Sequence, residues 1–320
     1  MTALLQYLGS LLKTATHLSL TLFRLMIPII IVIKVLEQFG FIQVISETLS
    51  PVMQWVGLPG AMGLVWATTL VTNLYGGLVV YATLAADYPM TVAQVTVLAF
   101  MMLTAHSLPV EAGVAKKAGV SLIFTLGFRI GMAIVSGIFL SFIYQTFGWL
   151  QQPAVLLWTA ESTEPGLLQW AYDQLLSLAF IFLIVLLLVA LLDILKRLGV
   201  IEWLNRLLRP VLHILGIGRE AETITLVGLT LGLSYGGTIL IHEARAGHIK
   251  TRDVLYSISL LGLSHSLIED TLLLMLTGAQ LWSLLLVRII FSLAVIMVMV
   301  KLVSRFKLEG YLVQPVVKSS

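Results

Sequence analysis

Cysteine occurs nowhere in the 320 residues, and only 11% of them are charged. The first absence excludes disulfides, thiolate metal sites and covalent thiol chemistry. The second sets the class. A soluble domain carries about 25% charged residues, whereas this chain is 59% hydrophobic and belongs in a membrane. No P-loop, GxSxG element or dinucleotide fingerprint is present, so an enzyme is not expected. His242-Glu243-Ala-Arg-Ala-Gly-His248 superficially resembles a zinc-protease motif. That motif needs histidines four apart on one helical face, and a spacing of six turns them about 240° apart. The formal charge of +3 does not point to nucleic acid; it reflects lysine and arginine confined to particular loops. The first long apolar stretch, Leu18–Leu36, has no small-residue cleavage site behind it and is expected to be retained.

What is present repeats. Leu49-Ser-Pro51-Val52 recurs as Leu208-Arg-Pro210-Val211, Gly57 as Gly216, and Tyr75-Gly76-Gly77 as Tyr235-Gly236-Gly237. His106-Ser107-Leu108 followed by Glu111 recurs as His265-Ser266-Leu267 followed by Glu269 and Asp270. Arg129 recurs as Arg288, each 18 residues after its carboxylate, and the shift is about 159 residues throughout. Polar residues repeated in an apolar chain are the signature of a duplicated membrane unit. The expected fold is all-α and integral to the membrane. It has two inverted-topology repeats, each with three spanning helices, an amphipathic interfacial helix and a re-entrant hairpin. The expected boundaries are an interfacial N-terminal helix at 1–15, carried by leucines 4, 5, 8, 11 and 12, then repeat one at 16–147. A polar external linker at 148–170, repeat two at 171–304 and a cytoplasmic tail at 305–320 follow.

Charge placement argues for the hairpins. The arms around Tyr-Gly-Gly, roughly 60–86 and 219–245, are each about 10–16 residues, or about 15–24 Å as helix. That reaches mid-membrane but does not cross about 30 Å of hydrocarbon. With both arms re-entrant, Lys13, Lys116, Lys117, the run from Lys196 to Arg219, the loop Arg245–Arg252 and the tail basic residues are all cytoplasmic. The external regions 37–59, 87–91 and 147–170 then contain no lysine or arginine. Both termini are expected in the cytoplasm, in a multi-pass protein of the plasma (inner) membrane. Lys34 is the exception, with Glu37 one turn on as its expected partner.

Tyr75, Gly76 and Gly77, with Tyr235, Gly236 and Gly237, are expected at the hairpin tips, flanked by Asn73, Ser234 and Thr238 as side-chain donors and acceptors. There exposed backbone groups are tolerable only against protein, water or ligand. Glycines in membranes also serve close helix packing, but the repetition with polar neighbours favours a binding role. His106, Ser107 and Glu111, with His265, Ser266, Glu269 and Asp270, mark breaks in two membrane helices. Ionisable groups at that depth are functional candidates because their transfer costs several kcal/mol. Pro109 breaks the first helix by removing a backbone donor; the second break has no proline. Arg129 and Arg288, about 13–15 Å below the surface by helical rise, are expected in structural ion pairs with Glu111 and Asp270, or against helix C-termini.

These hairpins, broken helices and inverted copies resemble the gate-domain superfamily. Its nucleoside-recognition domain occurs in concentrative nucleoside transporters, ferrous-iron transporters of the B type and sporulation-maturation membrane proteins. The resemblance covers residues 16–304, and Leu103-Thr-Ala-His-Ser-Leu-Pro-Val110 is similar to the iron transporters' gate segment, without its cysteine. It implies a solute bound between two hairpin tips and two unwound helices, and a core moving past a scaffold as an elevator. The expected function is secondary-active transport of a small polar, nucleoside-like solute. H⁺ or Na⁺ would be the coupling ion, with no cofactor and no resident metal. The partners expected are that solute and the bilayer, with no nucleic acid, and a homo-oligomer left open. A divalent metal or cationic metabolite held by His106, Glu111, His265 and Asp270 ranks second. Three acids against two arginines leave about one net negative charge, thin for a dication. A static membrane scaffold is the third reading.

Overall fold

The computed structural model of the chain describes residues 2–156 and 166–313, without the side chains of residues 2–4, 234 and 235. Among these residues the elements are all helical, with isolated bridges at Thr91–Pro153 and Val120–Val313. The first half holds α1 (Thr2–Gln38), α2 (Phe41–Trp55), α3 (Met62–Val71), α4 (Leu74–Leu84), α5 (Val92–Thr104), α6 (Leu108–Lys117) and α7 (Leu122–Phe147). The second repeats the order as α8 (Leu167–Arg197), α9 (Val200–Ile214), α10 (Arg219–Leu231), α11 (Leu233–Ala246), α12 (Thr251–Ser264) and α13 (Glu269–Met275). A π-helical turn, Ser283–Val287, then leads into α14 (Arg288–Phe306), and a short α15 (Glu309–Leu312) follows.

Six segments are long and apolar enough to cross a membrane: α1, α5–α6, α7, α8, α12–α13 and the π-turn with α14. Three fall in each half. An odd number of crossings inverts the second half relative to the first. In the two broken spans, α5–α6 and α12–α13, 72% of the most apolar stretch is buried, against 22–33% in the other four. The broken helices therefore form the protein interior, and the unbroken ones face lipid. This is an all-α multi-pass membrane protein.

The hairpin arms α3 and α4 have 10 and 11 residues, about half the membrane thickness at 1.5 Å per residue. They turn at Thr72–Asn73. Asn73 is extended, and its side chain accepts a hydrogen bond from Gly76 N at 2.9 Å, capping α4. In the second half Gly232 makes the turn with φ +95°, a conformation open to glycine alone without strain.

The turns are thus at Asn73 and Gly232, which corrects the expectation that the Tyr-Gly-Gly elements are the tips. Those elements lie in the first turn of each returning arm, and their glycines serve arm-to-arm packing. A Cβ on Gly77 would meet Thr69 Oγ1, and one on Gly236 would stand 2.4 Å from Gly228 Cα. Gly236 is therefore the counterpart of Gly77, not of Gly76. The textual match of the two Tyr-Gly-Gly runs is one residue out of structural register, so Tyr75 and Tyr235 are not equivalent.

The halves interlock. Leu273 and Leu274 of α13 are buried in the core of the first half, and Ala115 and Ala118 from the end of α6 in that of the second. Hairpin arm α4 packs on α13, and α11 packs on α6. The stretch from residue 2 to residue 15 is continuous with the first span in α1 rather than set off as its own helix. Lys34 pairs with Glu37 at 3.0 Å. The start of the linker lies along the head of α5, with Val92 N donating to Gln152 O at 2.9 Å. Its residues 157–165, with Glu161, Glu164 and Pro165, lie outside the described set. Residues 305–313 fold back so that Ser121 N donates to Leu312 O at 2.8 Å.

Candidate functional site

Both breaks have one local construction. α5 ends at Thr104, Ala105 is extended, and Ser107 sits at φ +47°. α12 ends at Ser264, His265 is extended, and Ser266 sits at φ +48°. A left-handed non-glycine residue is uncommon and costs free energy. Here the same one occurs at the same place in both repeats. Each break is also tied to its own hairpin: Ser107 N donates to Thr69 O at 3.0 Å, and Leu267 N to Leu229 O at 2.9 Å. Pro109 lies in the first turn of α6, where a missing N–H costs little. The second break forms without a proline, so backbone conformation at the serines, rather than proline, is the shared device.

A helix that ends inside a membrane leaves carbonyls without partners. The two arginines supply donors. Arg129 Nε donates to Thr104 O at 3.3 Å and Nη1 to His106 O at 3.2 Å. Arg288 Nε donates to Leu263 O at 3.0 Å and Nη2 to His265 O at 3.0 Å. Arg288 Nη2 also reaches Leu103 O of the other repeat at 3.3 Å. Both side chains are fully buried. Positive charge at the carbonyl end of a helix is also favoured by its dipole.

Arg129 in addition pairs with Glu111 Oε2, as expected from sequence. Arg288 has no carboxylate within ion-pair distance among the described residues. Of the two expected partners, a carboxylate or a helix C-terminus, Arg288 takes the second, through three carbonyls. Broken helix ends compete for the guanidinium, and in the second repeat they take it.

The histidines meet at the centre. His106 Nε2 lies 3.0 Å from His265 Nε2. Glu111 Oε1 lies 3.3 Å from the first and 3.5 Å from the second. Asp270 Oδ2 completes the group at 3.9 and 4.0 Å. Residues 159 positions apart in sequence thus become direct neighbours. Each imidazole is anchored by its other nitrogen: His106 Nδ1 faces Met102 O at 3.0 Å, and His265 Nδ1 faces Leu261 O at 2.7 Å. Asp270 Oδ2 is buried without a hydrogen-bond partner among the described residues, as are Arg129 Nη2 and Arg288 Nη1.

The remaining sequence candidates lie around this centre. Glu269 is not part of the histidine cluster. It lines a separate cavity of about 160 Å³ with Tyr75, Thr21 and residues of α1 and α8, including Leu22, Val185 and Leu188. Asn73 is occupied in capping, and Gly237 packs on Val114 of α6. Ser266 Oγ lies against Gly232, the second turn. Thr238 is on an exposed face of α11. The Ser234 and Tyr235 side chains lie outside the described residues. Away from the site, Glu243 accepts from His248 at 2.7 Å and His242 at 3.0 Å, contacts that hold its carboxyl below the usual range. Both histidines are exposed, at the end of α11 and just beyond it, as suits an ordinary charged surface.

Residues 19–149 match a family model described as Gate: Nucleoside recognition. The chain is 28% identical over 274 residues to the uncharacterized membrane protein YvoD of Bacillus subtilis (strain 168), an alignment spanning 84% of this chain and 86% of that protein. No solved structure gives a significant match. The matched family residues contain the first hairpin, His106, Glu111 and Arg129, and the second half rebuilds the same set around His265. The chain is an all-α, multi-pass membrane protein, and its residues 19–149 are similar to the Gate (nucleoside recognition) family.

Proposed function

We propose that the protein is a secondary-active transporter of a small polar solute. The observation that carries this reading is the buried centre where both broken helices end, with His106, His265, Glu111 and Asp270 converging from the two repeats. A static structural core has no need of two helices interrupted at mid-span, each held open by a strained serine and a buried arginine. Interrupted helices with ionisable groups at their ends are what a membrane protein requires to hold a solute at mid-depth. Hairpins tied by backbone hydrogen bonds to the breaks support a core that moves as a unit. Transport by such a core against the lipid-facing helices would be of the elevator kind.

Reconstitution tests this directly. Proteoliposomes challenged with nucleosides, related polar metabolites and divalent cations should take up one class, with or without a proton or sodium gradient. Asp270→Asn and Glu111→Gln are each expected to lower that uptake about tenfold or more, on the scale of a lost site residue or its outer support. Full uptake by the double variant would remove these acids from the mechanism. No response to any solute, with a protein that reproducibly co-purifies, would favour a scaffold.

We further infer that Lys- and Arg-bearing loops face the cytoplasm, together with both termini. Since the chain has no cysteine, single replacements report without background. Asp87→Cys should react with an impermeant thiol reagent only from outside, and His248→Cys only from inside. Labelling of both from one side would sink the hairpin topology.

A further inference from the structure

We propose that His106, His265, Asp270 and Glu111 form a binding site for one divalent transition-metal cation of the Zn²⁺, Co²⁺ or Mn²⁺ kind. The argument begins with the imidazoles. A carbonyl oxygen only accepts, so the hydrogen bonds to Met102 O and Leu261 O place the proton of each neutral ring on Nδ1. Both Nε2 atoms then present lone pairs to each other at 3.0 Å. Two lone pairs at that distance repel unless a cation lies between or beside them. Two carboxylate oxygens face the same point.

The distances fit one ion. In tetrahedral coordination at about 2.0–2.2 Å, ligand atoms stand about 3.3–3.6 Å apart. The four donors here are separated by 3.0, 3.3, 3.5, 3.9 and 4.0 Å for the five histidine-containing pairs. His106, His265 and Asp270 offer ligand atoms within 4.8 Å of one another. The outer support is also present. Ligand histidines ordinarily donate their second N–H to a carbonyl or carboxylate, and both do so. Glu111 keeps Oε2 on Arg129 and turns Oε1 to the imidazoles.

Arg129 pairs with Glu111, whereas Arg288 is turned to helix-end carbonyls and Asp270 has no guanidinium within ion-pair distance among the described residues, so Asp270 is the carboxylate left to an ion. Its Oδ2 is unpartnered and faces the cluster. Imidazole with carboxylate selects first-row transition ions over Na⁺, Mg²⁺ or Ca²⁺. The proposal rests on the transport reading only for taking the ion as cargo; binding stands apart from it.

The test uses the full chain, purified in detergent on a tag without histidine and titrated with Co²⁺. A saturable visible absorption of tetrahedral intensity is expected at one ion per chain, displaced by Zn²⁺. His106→Asn and His265→Asn should each abolish it. Asp270→Asn should weaken binding by more than the roughly 10–100-fold that loss of an outer-shell partner costs. His248→Ala, on the exposed loop, should leave it unchanged. If the histidine variants do not fold, X-ray absorption of the wild-type Co²⁺ complex must show two imidazoles. Absence of the Co²⁺ signal in the wild type, or its survival in the double histidine variant, overturns the proposal. Co²⁺ binding without uptake would leave the site standing and remove transport. Uptake of an organic solute without Co²⁺ binding would do the reverse.

Discussion

Arg129→Ala should lower the stability of the protein by about 3–5 kcal/mol, the scale for breaking a buried pair by removing one partner. The variant leaves Glu111 buried without its partner, and strips Thr104 O and His106 O of their donor. Arg288→Ala leaves no unpaired carboxylate, but three carbonyls from two repeats lose their donor together. Hydrogen bonds to a charged group contribute about 1.5–3 kcal/mol each, so a loss comparable to that of Arg129→Ala is expected. Lysine should rescue neither, because a single ammonium cannot reproduce the fork that spans carbonyls on separate chain segments.

Thermal unfolding in detergent reads the effect. Adding Glu111→Gln to Arg129→Ala should recover part of the loss, since the abandoned carboxyl is then gone. No recovery would mean that the carbonyls, not the carboxylate, dominate. An Arg129→Ala protein melting with the wild type would refute the account of the break altogether.

Gly236→Ala is expected to be the most damaging single-methyl change, at about 1–3 kcal/mol for overpacking. Its Cβ would stand 2.4 Å from Gly228 Cα, 2.7 Å from Gly228 N and 3.1 Å from Ile224 O. All three are backbone atoms, so no rotamer change relieves the contact, and α11 must move away from α10. Because Leu267 N bonds to Leu229 O on α10, the strain sits one turn from the second break. Solute-dependent activity should fall along with the melting temperature. Gly127→Ala on α7 is the matched control, with nothing within 4 Å of its Cβ. Alanine there should be neutral or stabilising by about 0.5–1 kcal/mol. Equal behaviour of the two variants would mean that the hairpin arms are not in contact as described.

Much of this protein is written one-dimensionally. Span count, hairpin length and the two-fold repeat follow from apolar run lengths and recurring polar residues, since a bilayer fixes how long a crossing must be and how rarely charge is allowed in it. That Arg129 faces Glu111 or a helix end was also legible, because an arginine at that depth has few alternatives. The Tyr-Gly-Gly match misled. Text similarity aligned Gly76 with Gly236, whereas packing against the neighbouring arm aligns Gly77 with it, and only close approach of two backbones reveals the difference. The left-handed serines had no sequence signal, since serine is not a residue that announces positive φ.

By itself, then, the sequence determined a duplicated, cysteine-free membrane chain with His, acid and Arg at matching depths in each copy. Periodicity, length and polarity are local properties, and local properties can be read along a chain. Tertiary structure decided that His106 and His265 touch, that Glu111 is shared with Arg129, and that Asp270 is left for the histidines while Arg288 serves carbonyls. Those outcomes depend on how two halves interlock and on which of several acceptors reaches each guanidinium first. That competition is settled in three dimensions, between residues that lie far apart along the chain.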